Sequence, residues 1–182
     1  MPEEELFSFL EKRKNLLDGV CITGGEPLLQ PDISAFLSKI KKLGYLIKLD
    51  TNGSFPDKLK EIVSLGLCDY VAMDIKNSPE KYPLTAGTKH DIMPDIQKSV
   101  EFLLSGKVDY EFRTTVVKPL HEESDFIEIG KWIKGAKKYF LQEFTDSGDL
   151  ISDGMEAYSK EELNTFAQAV SSYLSNVEIR GI

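Results

Sequence analysis

Val20-Cys21-Ile22-Thr23-Gly24-Gly25-Glu26-Pro27 is a short apolar, β-branched run that breaks into two glycines, a carboxylate and a proline. Its first four residues suit a buried strand. Paired glycines let the backbone turn sharply and approach a ligand, because no Cβ stands in the way. Such a turn leaves amides and carbonyls free for a polar group. Glu26 adds an acceptor suited to an ammonium, and Pro27 ends the strand. An ordinary strand-to-helix loop of an α/β protein would carry the same four residues. A phosphate cradle fits less well, since a Lys followed by Ser or Thr should come after the glycines and an acid stands there instead.

Outward from this turn, helix and strand patterns alternate. Leu6, Phe9, Leu10 and Leu17 recur at helical spacing over residues 2–17, with Glu3, Glu4 and Glu5 in the first turn where the helix dipole favours acids. Helices are predicted over 32–43, 57–65 and 91–104, the first two stopped by Gly44 and Gly66. Two more begin near Ser124 and, through the capping box Ser159-Lys160-Glu161-Glu162, at Lys160. Strands are predicted over 45–52, 69–76, 110–117, 138–144 and 177–180. The stretch 77–90, with Pro79, Pro83 and Gly87, reads as a loop with one helical turn, and 145–156 as a Gly- and Asp-rich loop. Connections of this length suit right-handed parallel crossovers, so the chain is expected to form one α/β domain over residues 1–182.

The strand faces decide between an open sheet and a barrel. Lys48, Asp50 and Asn52 share one face, as do Asp74 and Lys76 above Tyr70 and Ala72. Glu111, Arg113 and Thr115 lie together, and Gln142 stands above Phe140. Each strand thus offers helices an apolar side and turns its polar side elsewhere. Polar sides that converge make a barrel or half-barrel with a site at the C-terminal mouth. Singly, Asp74 with Lys76 and Glu111 with Arg113 read as plain ion pairs. Jointly they favour a charged ligand, since burying so many charges without one is costly.

The totals exclude several classes. Twenty-two basic against thirty acidic residues give a net charge of −8, which repels nucleic acid. The cluster Lys131, Lys134, Lys137 and Lys138 reads as a solvated helix face and its end. No apolar run is long enough to span a membrane, and the acidic N-terminus is unlike a signal peptide, so a cytoplasmic location is expected. Cys21 and Cys68, with His90 and His121, are too widely spaced for a compact zinc pattern.

Gly24-Gly25-Glu26-Pro27 after one strand, Asp50-Thr51-Asn52-Gly53 after the next and Asp74-Ile75-Lys76 after the third resemble the radical S-adenosylmethionine activating enzymes, above all the activases of glycyl-radical enzymes. The resemblance runs over nearly the whole chain. It implies a partial (β/α) barrel of about six units, parallel strands inside and helices on the outer face. It also implies that Gly24, Gly25, Glu26 and Pro27 hold the amino group of S-adenosylmethionine, with Asn52, Asp74 and Lys76 on the same cofactor and Arg113 and Gln142 as further contacts. Lys76 suits the cofactor's carboxylate, and Asp74 a ribose hydroxyl or a cation. Some members hold a monovalent cation at the place matching Asp50, Thr51, Asp74 and the carbonyl of Ala72, and Lys76 would relieve part of the charge when that place is empty.

One departure accompanies this likeness. The family binds a 4Fe–4S cluster through Cys-x3-Cys-x2-Cys in a loop after its first strand, and this sequence has no such motif. The first strand and that loop are therefore expected to be missing, with no cluster ligands and no catalytic residue in this chain. In intact form the enzyme would cleave S-adenosylmethionine reductively and place a radical on a glycine of a partner, of the anaerobic ribonucleotide reductase or pyruvate formate-lyase type. The chain as it stands is expected to make no radicals and to hold neither cofactor tightly. Two alternatives remain: another branch such as the 7-carboxy-7-deazaguanine synthases, and a cluster-less barrel that binds a nucleoside or a protein.

Overall fold

The computed structural model describes residues 2–88, 90–146, 148 and 154–181. Helix α1 (Glu3–Lys12) precedes strand β1 (Gly19–Ile22), a 3-10 turn at Pro27–Leu29, α2 (Ile33–Lys42) and β2 (Leu46–Thr51). Next come α3 (Pro56–Ser64), β3 (Tyr70–Asp74), the single turn α4 (Tyr82–Thr85), α5 (Met93–Leu104) and β4 (Asp109–Val116). Helix α6 (Glu123–Trp132), β5 (Tyr139–Glu143), α7 (Lys160–Ser171) and β6 (Val177–Arg180) complete the set. The six strands form one sheet in the order β1-β2-β3-β4-β5-β6, every pair parallel.

One face of each central strand feeds the core. Ile47 and Leu49 of β2, Val71 and Met73 of β3, Tyr110 and Phe112 of β4 and Tyr139 and Leu141 of β5 are buried together with the apolar stripes of the helices. Those stripes include Leu37 and Ile40, Leu59 and Ile62, Val100 and Leu103, Phe126 and Ile129, and Leu163 and Val170. All the large helices therefore cover the same side, as in a partial barrel, and the opposite face carries Lys48, Asp50, Asp74, Glu111, Arg113 and Arg180. Burial of so many whole side chains, at about 1.5–3 kcal/mol each, is what drives the helices onto that side.

Boundaries follow local chemistry. Gly44 and Gly66 take positive φ just past α2 and α3, the left-handed stop that only glycine adopts without strain. Both halves of the capping box at Ser159 and Glu162 form at the start of α7. A second box, Glu122 with Asp125, opens α6. Helix α1 is shorter than its spacing suggests: it ends at Lys12, and Leu17, expected on its buried face, is 38% exposed. The stripe past Leu10 has no neighbour to pack on, and propensity alone does not hold a helix end. Among the described residues β1 pairs only with β2, which leaves its other edge open. The loop expected over 145–156 lies partly outside the described residues.

Candidate functional site at the strand mouth

The turn after β1 presents bare backbone. Gly24 has φ +105°, and a Cβ built on Gly24 or Gly25 would meet no atom within 4 Å. The turn is therefore open to a ligand. A cavity of about 200 Å³ lies inside it, lined by Thr23, Gly24, Gly25, Asp50, Asp74 and Arg113 among others. A larger one of about 630 Å³ lies at the turn's other side, where Ile22, Leu29, Ile33 and Phe36 add apolar walls.

Arg113 organises the charged wall of the inner cavity. Its Nε donates to Asp74 Oδ1 at 2.6 Å and its Nη1 to Asp50 Oδ2 at 3.0 Å. Lys48 Nζ donates to Asp50 Oδ1 and Lys76 Nζ to Asp74 Oδ2, both at 2.7 Å. Burial alone would raise the Asp50 carboxyl, but the Lys48 and Arg113 contacts override it and hold it below its ordinary value. Burial likewise opposes the charge on Arg113, and the two acids win, raising its pKa. The mouth is thus an array of two acids and three bases, with Lys76 the most exposed at 41%.

Of the four groups of the expected cation site, Asp50, Thr51 and Asp74 line the inner cavity. Asp50 and Asp74 do face one side, but Arg113 stands between them. Thr51, one residue on, is 3% exposed and its Oγ1 donates to Glu26. Ala72 is buried beneath the acids. Asn52 reaches the mouth with its Oδ1 accepting from the amide and hydroxyl of Ser54 at 2.9 and 2.6 Å. Pro27 is buried at the start of the 3-10 turn. Gln142 lies opposite Arg180 in register and lines neither cavity. Glu26 turns to the protein's own donors: Leu28 N at 3.0 Å, Asn52 N at 2.7 Å and the Thr51 hydroxyl at 3.0 Å.

Sequence reasoning missed several supporting residues. His121, 1% exposed, bonds the Lys76 carbonyl through Nε2 at 2.9 Å, while its Nδ1 accepts from Val117 N at 3.2 Å. Burial lowers its pKa, and the neutral ring fits both bonds. Ser99 Oγ donates to Gly53 O at 2.7 Å, tying α5 to the turn after β2. Glu111, read as a partner of Arg113, instead receives Arg180 through two bonds at 2.7 and 3.0 Å and Tyr70 Oη at 3.0 Å. No local signal pointed to these contacts, which join residues 45, 46 and 69 positions apart in the chain.

The thiols do not suit an iron–sulfur cluster. Cys21 lies on the inner face with Sγ 3.7 Å from Asp50 Oδ1, and burial with that charge raises its pKa. Cys68 is buried against backbone carbonyls and pushed up to about 11, chiefly by burial. Two such thiols, the whole cysteine complement of the sequence, fall short of three thiolates. Among the described residues no group of three or more His, Cys, Asp or Glu side chains could hold a metal ion.

The sequence profile of the Radical SAM superfamily matches residues 1–133, and the chain belongs to that superfamily. A Methanocaldococcus jannaschii protein named as a glycyl-radical enzyme activating enzyme is 31% identical over 188 residues, covering 100% of this chain and 78% of the relative. A 7-carboxy-7-deazaguanine synthase of Methanopyrus kandleri is 34% identical over 158 residues, covering 84% of this chain and 58% of that enzyme. The crystal structure of a domain of pyruvate-formate lyase-activating enzyme from Bacteroides vulgatus superposes with a TM-score of 0.72 at 18% identity, covering 90% of this chain and 99% of that one. It shares the fold. Among the described residues no helix is long and apolar enough to cross a membrane.

Proposed function

We propose that the mouth binds S-adenosylmethionine and that the chain serves in the activation of a glycyl-radical enzyme. The observation that carries this reading is the open Gly24-Gly25 backbone facing a cavity whose far wall is Asp50, Asp74 and Arg113. Free carbonyls at the glycines accept from an ammonium, which a side chain at either position would obstruct. Asp74 accepts from a ribose hydroxyl, and Lys76, partly exposed beside it, meets a carboxylate. Bound there, S-adenosylmethionine would supply a sulfonium, the electrophilic centre of this family's chemistry. The cluster that would reduce it has no fitting ligands among these residues, so the chain's own part is to bind and orient. The matching relative supports a glycyl-radical enzyme as the partner. Two cysteines that are both free suit a reducing cytoplasm.

The Methanopyrus kandleri relative supports a second reading, a 7-carboxy-7-deazaguanine synthase branch. Both readings place S-adenosylmethionine at the same mouth, so the second ligand separates them. Titrating the 15N-labelled protein with S-adenosylmethionine should shift the amides of Gly24, Gly25 and Asn52, with dissociation at about 1 mM, equivalent to about −4 kcal/mol. Gly25→Ala should abolish those shifts. Shifts confined to other surfaces, or undiminished in Gly25→Ala, would overturn the assignment. Competition by 7-carboxy-7-deazaguanine at the mouth would favour the second reading.

A further inference from the structure

Two turns at the mouth are joined by one carboxylate. Glu26 Oε1 accepts from Leu28 N at 3.0 Å and Oε2 from Asn52 N at 2.7 Å. The Thr51 hydroxyl straddles both oxygens at 3.0 and 3.1 Å, while its own oxygen accepts from Gly53 N at 3.1 Å. Leu28 belongs to the turn after β1, and Asn52 and Gly53 to the turn after β2. No residue other than Glu26 and Thr51 contributes a side-chain link of this kind between the two among the described hydrogen bonds.

The donors leave Glu26 little to offer a ligand. A carboxylate has about four lone-pair positions, and two amides and a shared hydroxyl fill most of them. Two of the three donors are backbone amides, whose burial without an acceptor would be costly. Thr51 is 3% exposed and borders the inner cavity, but its hydroxyl is engaged by both Glu26 oxygens and by Gly53 N, which leaves it little to offer a ligand there. Glu26 itself lines the outer cavity at the free edge of β1 and not the inner one.

We propose that Glu26, with Thr51, is a positioning residue: it fixes the distance between the Gly24-Gly25 turn and Asn52, and does not itself hold the ligand's ammonium. This rests on the proposed function for the identity of the ligand, but not for the link itself. The Gly-Gly-Glu sequence then divides its labour. The glycines give the ligand bare backbone, and the acid clamps that backbone to the neighbouring strand end.

The test uses the whole chain and two variants of different geometry. Glu26→Gln places an amide NH2 against Leu28 N or Asn52 N, where only acceptors fit. Thr51→Val removes the hydroxyl at nearly constant volume, and Thr51→Ser restores it. Amide hydrogen exchange in the absence of ligand should be about tenfold faster at Leu28 and Asn52 in Glu26→Gln. Thr51→Val should show the same change at Gly53 and Asn52, and Thr51→Ser should return it to the wild-type rate. S-adenosylmethionine should bind more weakly to both Glu26→Gln and Thr51→Val, by about tenfold, with recovery in Thr51→Ser. Unchanged exchange in Glu26→Gln would overturn the link. Binding lost in Glu26→Gln but untouched in Thr51→Val would overturn it too, making Glu26 a direct ligand. If the wild-type chain binds no S-adenosylmethionine, the proposed function fails and the exchange rates alone decide the positioning role.

Discussion

The inner face of the sheet has a floor and a mouth, built from the same residue types and put to opposite uses. At the floor, Glu111 is 3% exposed, receives both nitrogens of Arg180 and the hydroxyl of Tyr70, and the guanidinium lies 3.2 Å above the Phe140 ring. The Glu111 carboxylate there is wholly taken up by other parts of the chain, although the guanidinium it holds still reaches water at one edge. At the mouth, Arg113 bridges Asp50 and Asp74, but these charges line a cavity whose adjoining glycines, Gly24 and Gly25, face open space. Charges that satisfy one another make structure, and charges with one side left open make a site. The comparison shows why counting ionisable residues on a face does not locate the site.

Breaking the floor should cost the most. Glu111→Ala strands a guanidinium and a phenol whose partner was buried. Because Arg180 can turn to water, the loss should be about 2–3 kcal/mol in urea unfolding, below the full cost of a wholly buried pair. Ligand binding at the mouth should persist in that variant under native conditions. A loss of both together would mean that floor and mouth are one unit.

Acid should erode the floor next. Burial pushes the Glu111 carboxyl up, yet Arg180 and Tyr70 override it and leave it below its ordinary value, as Lys48 and Arg113 do for Asp50. A depressed carboxyl stabilises the fold above its unfolded pKa, and that contribution fades as pH falls through the folded value. The urea midpoint should therefore drop as pH is lowered from about 5. Glu111→Gln should show a shallower fall, and an equal fall would remove Glu111 from the account.

The mouth should respond in the opposite way. Lys76→Met breaks an ion pair that is partly in water, so stability should move by about 0.5 kcal/mol or less, while affinity for a carboxylate-bearing ligand falls. Gly25→Ala, on a backbone without positive φ and with nothing within 4 Å, should leave the unfolding curve unchanged and still remove binding. A destabilised Gly25→Ala would show that the turn is packed and not open.

Much of the architecture was legible because it is local. The apolar spacing of Ile33, Leu37 and Ile40, the stops at Gly44 and Gly66 and the Ser159–Glu162 box are short-range signals, and each sits where the pattern placed it. Alternation also put Asp50, Asp74 and Arg113 on one face. What alternation does not supply is who meets whom across strands. Glu111 passes over its neighbour Arg113 to meet Arg180, 69 residues away, because Phe140 on the intervening strand carries the guanidinium across. Glu26 looked free for an ammonium because two of its donors, Asn52 N and the Thr51 hydroxyl, reach it only once the two turns lie side by side. Thr51 entered the cation set through the family resemblance, and alternation did not reveal that its hydroxyl would be taken up by Glu26 on the neighbouring turn.

The sheet order, one to six in the sequence of the chain, bears on how the molecule is made. Each strand lies beside the one synthesised before it, so no slot must be held open for a later arrival. During translation, each new strand–helix unit meets an edge already present, and the growing sheet serves as the template for its own extension. The contacts closed at each step span one crossover, a modest loop for a parallel sheet. Two ion pairs skip a strand, Arg113 of β4 to Asp50 of β2 and Arg180 of β6 to Glu111 of β4, and the second forms only when β6 has emerged. The Arg180–Glu111 clasp is therefore a later fastening of a fold whose earlier parts assemble in the order in which they are written.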